Sequence, residues 1–357
     1  MGLVFIGMFF FLKEKNKSPQ TIILWYWFFS LYYAIGLLAN ILQENPVLIL
    51  KQTVPLANFI AFSFFLSIKE NHKLTGKFMA TTFFITCLLL IYFNFINFDL
   101  DHRGIYEYGL DRAGGVYGDA NQAALVSLLA FVLMKNLFEP KNAFQRFLKV
   151  LVLLIILYAF ILTFSKTGFV ILLVVLGLTY HKLFNPKRVL FTLIFVVILF
   201  TSVFSIILES EILSKAQEER ILDLGNILTF QTDKIDYSGR NILLENMLEY
   251  VYENPIFGNG VDFSVSISGH NTIVGVWADA GIFTFLFFLI LLIRHFWLAM
   301  NSSAKNRYFM LSLLFILVIY MLSLQSIITE PYLLVVFVWI GYQISFDQKL
   351  NSTYYEN

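Results

Sequence analysis

Apolar segments of about 17 to 25 residues recur along this chain, and they limit what it can fold into more than any other feature. As an α-helix, a segment of that length crosses the roughly 30 Å hydrocarbon core of a bilayer. Charged residues make up 14% of the chain, whereas soluble domains contain about 25%. The apolar runs are continuous rather than alternating, so they do not fit a membrane β-barrel. The sequence therefore predicts an all-α polytopic integral membrane protein.

About eleven transmembrane helices are predicted, and the charges of their loops orient them. Loops 13–18, 69–77, 135–149, 181–188 and 294–307, with the C-terminal tail, hold 17 of the 25 Lys and Arg. Because positively charged loops remain on the cytoplasmic side, the N-terminus is predicted outside and the C-terminus inside. No linker divides the chain, so residues 1–357 are predicted to form a single membrane-embedded domain. The predicted spans are 1–12, 19–42, 46–68, 78–98, 120–138, 147–164, 167–183, 189–208, 270–293, 308–328 and 331–346.

Two of the predicted extracytoplasmic loops are long. The first covers residues 98–122, and the second covers about 209–269. Within the second, NILLENMLEYVYENP has apolar residues at helical spacing and ends before Pro255. We expect it to form an amphipathic helix near the membrane surface. Cys87 lies in an apolar run and has no cysteine partner, which excludes disulfides and cysteine metal sites.

Histidines that face outside are candidate acid–base groups. Under this topology His102 and His270 lie outside, whereas the other three are predicted to be solvated in cytoplasmic basic loops: His72, His181 and His295. His270 opens the ninth predicted span, where Gly281 and Thr284 fall below it on one helical stripe. Such small residues allow a second helix to approach closely. From its position alone, His270 is either a catalytic group at the membrane surface or a polar helix start.

Asp279 lies nine residues after His270 and roughly 13 Å deeper in the same predicted span. A carboxylate inside the membrane is costly, so it faces a partner or a cavity. A structural ion pair is the favoured interpretation, with Lys51 as a candidate partner. A functional role is the alternative.

Cationic residues in the extracytoplasmic turns are candidates for binding phosphate. Arg112 lies in DRAGG, Lys166 in FSKTG and Arg240 in YSGRN. Arg forks around phosphate oxygens and Lys acts as a point charge, but taken singly each such residue more often anchors a lipid headgroup. A metal site is a weaker alternative: Asp99 and Asp101 form a DxD pattern followed by His102, and such carboxylates suit Mg²⁺ or Mn²⁺.

Several of these residues form motifs in a fixed order. His270-Asn271 is followed by TIVGVWADA, Gly281, Ile-Phe and Thr284. Upstream lie Ser238-Gly239-Arg240 and the segment NPIFGNG (254–260), and an Arg-x-x-Gly stretch from Arg112 leads to Asn121. In this order the motifs resemble those of the bacterial O-antigen ligase and polymerase superfamily. Ser165-Lys166 stands where that family has Ser-Arg, which keeps the charge and loses the fork.

The resemblance implies a membrane glycosyltransferase on the outer, periplasmic face of the bacterial cytoplasmic membrane. It implies His270 as general base, and Arg240, Arg112 and Lys166 as ligands of an undecaprenyl diphosphate, with Asn271, Asn121, Gly281 and Asp279 in support. Neither a metal nor another cofactor is needed if these cations neutralise the leaving group. The implied partners are the lipid-linked donor, a glycan acceptor and membrane lipids, with a flippase and a chain-length regulator as candidates, and no nucleic acid.

Three functions are compatible with the sequence. The acceptor of a polymerase is another lipid-linked repeat, whereas that of a ligase is lipid A–core. The modest length, the Phe-rich spans and the Ser-Lys departure favour an inverting polymerase. A flippase for the same lipid-linked sugars is the alternative from another class, but it predicts short loops throughout.

Overall fold

α-Helices make up nearly all the regular structure of the protein. The computed structural model describes residues 19–43, 53–100, 104–105, 110–180, 214–228, 231, 239–303, 306–325 and 327–355. The predicted spans 1–12 and 189–208 and the candidate partner Lys51 lie outside these residues. The helices are α1 Gln20–Leu42, α2 Val54–Ser67, α3 Lys69–Phe95, α4 Ala120–Leu137, α5 Ala143–Leu162, α6 Lys166–Thr179, α7 Lys215–Leu228, α8 Arg240–Glu253, α9 Phe263–Ser266, α10 Thr272–Met300, α11 Arg307–Tyr320 and α12 Pro331–Tyr355.

Within the described residues, five helices are long and apolar enough to cross a membrane: α1, α3, α4, α5 and α10. Shorter apolar helices cover Val54–Ser67, Lys166–Thr179, Arg307–Tyr320 and Pro331–Asp347. The predicted class, an all-α membrane protein, is confirmed, and the count of eleven spans stays a prediction. A short antiparallel pair, β1 Phe98–Asp99 and β2 Gly104–Ile105, lies in the first long loop.

The helices begin and end at different residues from those predicted. α3 begins at Lys69, so the charged segment 69–77 is helical and not a loop. α10 continues to Met300, into the predicted loop 294–307, whereas α11 already ends at Tyr320. α3 and α10 thus extend past their apolar runs into charged segments, and α11 ends inside its apolar run. Hydropathy alone detects neither kind of boundary.

The described residues belong to two compact units. The first comprises 1–78 and 238–357, and the second comprises 79–237. In the first unit α10 packs against α1, and α12 packs against α1 and α2. An aromatic core surrounds the fully buried Trp25, whose indole ring contacts Phe28, Phe59, Phe288 and Phe337.

Two histidines predicted to be solvated are buried in the first unit. His295 is fully buried, and its ring contacts those of Trp25 and Phe337. His72 is also buried, and its Nε2 lies 2.6 Å from the carbonyl oxygen of Leu66. The prediction was wrong for both, because it assigned them to loops by the charge of their neighbours, whereas each lies on the inward face of a helix.

The second unit is built around α4. This helix contacts α5, α6 and the 3₁₀ turn Gly115–Tyr117, and its residues from Ala123 to Leu133 are all buried. Alanines at 120, 123, 124 and 130 keep the helix narrow, which lets its neighbours approach closely. Asp119 caps its first turn by accepting hydrogen bonds from the backbone N–H groups of Asn121 and Gln122. The start of α4, which carries Asn121, is thereby held in place.

Candidate active site

His270 occupies a constrained turn immediately before α10. Its φ is +45°, in the left-handed region that residues with a Cβ rarely adopt. The side chain is partly buried, and the backbone N–H donates a 3.2 Å hydrogen bond to Oε1 of Gln325. Asn271 caps the helix by accepting a hydrogen bond from the N–H of Val274 at 3.0 Å. The backbone that carries the imidazole is thus held on both sides.

The start of α10 is also joined to the segment between α11 and α12. The backbone N–H of Thr272 donates to the carbonyl oxygen of Met321 at 2.7 Å. Its hydroxyl donates to the carbonyl oxygen of Leu324 at 2.5 Å and accepts from the N–H of Ile327 at 3.4 Å. Thr272 is buried, so these bonds are shielded from water. The segment therefore places Gln325 beside the backbone of His270.

α10 is interrupted halfway along its length. Ala280 has φ −133° and ψ 21°, and Gly281 has φ +74° and ψ 177°. The second pair of angles is open essentially to glycine alone. The single stripe predicted from His270 through Gly281 to Thr284 was therefore wrong, because the helical register is not continuous across the break.

The segment NPIFGNG fills this break through backbone hydrogen bonds. The N–H groups of Asn259 and Gly260 donate to the carbonyl oxygens of Ala278 and Asp279, at 2.7 and 2.9 Å. In return, the N–H of Ile282 donates to the carbonyl oxygen of Pro255 at 2.9 Å. Groups that the interruption removes from the helical ladder thus gain partners, as buried backbone requires.

Gly281 permits this contact because it lacks a side chain. A Cβ there would lie 1.8 Å from the carbonyl oxygen of Ile256. Gly281 therefore allows a close approach, as predicted. The approaching partner is the 254–260 segment, whereas the prediction expected a second helix. Two motifs that nine residues of the sequence separate thus form one structural element.

Asp279 lies just before the break and is buried. Its Oδ2 accepts a 2.7 Å hydrogen bond from the hydroxyl of Tyr32 on α1. Its Oδ1 accepts a 2.6 Å bond from the N–H of Ser264, whose hydroxyl donates to Oδ2 at 3.2 Å. The carboxylate therefore connects α1, α9 and α10. A cavity about the size of one water molecule lies beside it, lined also by Asp262, Thr272, Gln325 and Thr329.

Arg240 is the first residue of α8, directly after Gly239, which has φ +70°. The predicted helix is present, but it does not simply lie on a surface: its buried residues Met247 and Val251 pack against Ala278 of α10. A Cβ on Gly269 would lie 2.5 Å from Sδ of Met247. α8 therefore contacts the residue that precedes His270. Ser238, the first residue of the Ser-Gly-Arg motif, lies outside the described residues.

In the second unit, Arg112 and Asn121 are in direct contact. Nη2 of Arg112 donates to Oδ1 of Asn121 at 3.0 Å, and Nε donates to the carbonyl oxygen of Thr163, also at 3.0 Å. The buried hydroxyl of Ser165 donates to the same Oδ1 at 3.0 Å. These bonds connect the DRAGG turn, the start of α4 and the turn before α6.

Lys166 follows Ser165 as the first residue of α6. Its Nζ lies 2.7 Å from Oδ2 of Asp223 on α7, and the two side chains are 16% and 9% exposed. Gln217, on the same helix, donates to the carbonyl oxygens of Leu110 and Asp111 at 3.4 and 3.0 Å. α7 is therefore attached beside both Lys166 and the DRAGG turn.

The metal alternative stays a prediction, because two of its three residues lie outside the described part of the chain. Within it, no group of three His, Cys, Asp or Glu residues could hold a metal ion. Asp99 pairs with Gly104 in the short β-ribbon, and Asp101 and His102 lie outside the described residues.

Residues 151–289 match the model of the family described as O-antigen ligase. The resemblance to the O-antigen ligase and polymerase superfamily is confirmed. The matched region contains Lys166, Arg240, the NPIFGNG segment and His270 through Gly281, and it ends inside α10. Arg112 and Asn121 precede it. Comparison with curated proteins gave no match.

Three residues that organise these contacts were missed in the sequence analysis. Gln325 and Tyr32 lie in apolar surroundings far from the motifs, and their partners at 270 and 279 are distant in the chain. Asp223 lies in a helix with several other charges, KAQEERILDL, so its charge alone does not distinguish it. An unusually polar residue within an apolar run, such as Gln325 in MLSLQSII, was the one available signal.

Proposed function

We propose that the protein is a membrane glycosyltransferase of surface-polysaccharide assembly. The observation that carries this proposal is the O-antigen ligase family match over residues 151–289. The geometry supports it, because the matched motifs at 254–260 and 270–284 meet through backbone hydrogen bonds instead of lying apart. We place the enzyme in the bacterial cytoplasmic membrane, with its active site facing outward.

In the proposed reaction, His270 accepts the proton of the attacking sugar hydroxyl. The hydroxyl oxygen bonds to the anomeric carbon of the donor sugar as the bond from that carbon to the diphosphate oxygen breaks. In-line attack inverts the anomeric centre, and the diphosphate leaves on undecaprenol. An imidazole titrates near neutral pH and suits the role of general base. The hydrogen bond from the backbone N–H of His270 to Gln325, together with the Asn271 cap, restricts the backbone that carries the imidazole before substrate binds.

The cationic residues take the role of binding the diphosphate. Arg240, Arg112 and Lys166 offset the charge that develops on the leaving group, as fixed donors do in other phosphate-transfer sites. Two N–H donors of Arg112 already bind Asn121 and Thr163, which orients its planar guanidinium. Asn121 and Asp279 act as supports for the backbone around the site, and neither a metal nor another cofactor enters the reaction.

A polymerase is the first candidate within this class. Its acceptor is the sugar hydroxyl of a second lipid-linked repeat, and a flippase and a chain-length regulator are its expected partners. The modest length, the Phe-rich spans and Lys166 in place of the family arginine favour it.

A ligase is the second candidate, and one observation favours it: the matching family is itself described as O-antigen ligase. Its acceptor would be lipid A–core.

The glycan profile of a deletion strain separates these candidates. Single repeats attached to core indicate the loss of a polymerase, whereas full-length polymer that remains on the carrier lipid indicates the loss of a ligase. Lipid-linked repeats that all remain on the cytoplasmic face of the membrane would contradict both and indicate transport. In the complemented strain, His270→Ala should reproduce the deletion profile while the protein still reaches the membrane. Wild-type glycan in that strain would disprove the assignment of His270 as the base.

A further inference from the structure

Lys166, a proposed ligand of the donor diphosphate, is already paired with Asp223. Lys166 Nζ and Asp223 Oδ2 are 2.7 Å apart, and both side chains are largely shielded from solvent. An ammonium group has three N–H donors and binds any oxyanion that reaches it. A phosphate oxygen and the carboxylate oxygen therefore compete for the same donor.

Few side chains of α7 are buried. Among its side chains at 215–227, Asp223 and Leu224 are the buried ones. The other contacts that hold it include the hydrogen bonds of Gln217 to the carbonyl oxygens of Leu110 and Asp111, which are neutral and partly exposed. Neutral hydrogen bonds at a wet surface contribute little net stability.

We propose that Asp223 is a built-in competitor for the donor diphosphate and that α7 is displaced when the donor binds. The proposal rests on the proposed function, since it takes an undecaprenyl diphosphate as the ligand of Lys166. A diphosphate carries more negative charge than one carboxylate, so it is the stronger partner for the ammonium group. Once it binds, Asp223 would be a buried like charge beside it, which favours release of the helix.

This displacement gives the protein a means of selecting its ligand. An ordinary membrane lipid whose headgroup carries a single charge must displace the same carboxylate of Asp223. It makes fewer ionic contacts with Lys166 than a diphosphate does. Lys166 is therefore protected from ordinary membrane lipids and available to the donor. No bond is made or broken in this step, which exchanges one ionic contact for another.

The test is binding of undecaprenyl diphosphate to the purified full-length protein in nanodiscs. Asp223→Asn removes the competing charge at nearly constant volume, so the Kd should fall about two- to fivefold, which corresponds to the upper part of the range measured for single ion pairs near a protein surface. Glu219→Gln is the matched control, because it removes one negative charge from an exposed position of the same helix and should leave the Kd unchanged. Lys166→Met should weaken binding.

Hydrogen exchange gives a readout that needs no variant. Addition of undecaprenyl diphosphate to the wild-type protein should increase amide exchange within 215–228, since the helix leaves its site. A Kd for Asp223→Asn that is equal to or weaker than that of Glu219→Gln would overturn the proposal and make Asp223 a positioning residue for Lys166. Unchanged exchange in α7 on binding would also overturn it. If the diphosphate binds as expected but no glycan is transferred, the proposed function is contradicted. The proposal that Asp223 competes with the diphosphate would still be supported.

Discussion

At the scale of single residues, the unusual feature is a histidine in a left-handed turn, His270, whose backbone is held by neighbouring residues. A left-handed φ costs a residue with a Cβ about 1–2 kcal/mol, and at His270 the surrounding contacts maintain it. Gln325 supplies the acceptor for its N–H, and Asn271 fixes the next turn. These contacts fix the direction in which the Cα–Cβ bond of His270 points, which a general base requires.

Gln325 can be tested as the residue that positions the base. Gln325→Met preserves length but removes the acceptor, so the N–H of His270 loses its partner and the turn relaxes. We expect kcat to fall about 10- to 100-fold with little change in KM, because a small misplacement of a catalytic group affects chemistry more than binding. His270→Ala should cost more, about 10²- to 10⁴-fold.

The conservative variant separates positioning from a structural role. Gln325→Glu replaces the amide oxygen with a carboxylate oxygen, which can also accept the hydrogen bond from His270. This variant should therefore retain most of the activity that Gln325→Met loses. Equal losses in both variants, or a change confined to KM, would show that Gln325 does not act through the backbone of His270. Transfer kinetics with a lipid-linked donor measure both quantities.

At the scale of elements, α10 consists of two helical parts joined at Ala280–Gly281, with the 254–260 segment hydrogen-bonded across the junction. A glycine followed by apolar residues predicts close packing, and this much followed from the sequence. The break itself did not, because it depends on partners at Pro255, Asn259 and Gly260 that lie far away in the chain. A helix can be interrupted inside a membrane when other protein groups satisfy its backbone, and here they do.

Gly281→Ala tests the break directly. The substitution places a Cβ in a backbone region open essentially to glycine, at a cost of about 1–3 kcal/mol, and the clash with Ile256 adds to it. We expect a loss of about 3 kcal/mol or more, seen as a lower unfolding temperature in detergent and a lower level in the membrane.

Gly239→Ala is the matched control for that variant. Gly239 also has a positive φ, of +70°, but a Cβ added there would meet no atom within 4 Å. Its substitution should cost only about 1–2 kcal/mol, the penalty of a left-handed alanine. Equal unfolding temperatures for the two variants would show that contact with the 254–260 segment does not stabilise the break.

At the scale of the whole molecule, hydropathy predicted the all-α membrane class and the approximate positions of most described helices, whereas the orientation inferred from the sign of loop charges stays a prediction. Hydropathy failed where a charged segment continues a helix, as at Lys69. The charge of neighbouring residues failed at His295, which follows an arginine in the sequence but is buried. Motif order predicted the resemblance that the family match over residues 151–289 supports, yet the partners of the polar residues in those motifs could not be predicted. Tyr32, Gln325 and Asp223 bind residues distant in sequence, and no local pattern encodes such pairs.

The predicted orientation in the membrane can be measured by cysteine labelling. Cys87 is the one cysteine of the chain and is buried, so Cys87→Ser provides a background without reactive thiols. In that background, Ser266→Cys should react with a membrane-impermeant maleimide in intact cells. Lys141→Cys should react only after lysis. Both positions are exposed, so accessibility within the protein does not distinguish them. The reverse pattern would invert the topology and exclude a periplasmic His270.

The junction at Ala280–Gly281 has a consequence for how relatives of this protein diverge. The carbonyl oxygens of Ala278 and Asp279 need the N–H groups of Asn259 and Gly260, and Gly281 needs the space beside Ile256. A substitution at one of these positions is tolerated only if the others change with it. Among homologues, the glycines at 258, 260 and 281 should therefore be retained or lost together. The two motifs, although separate in the sequence, should covary.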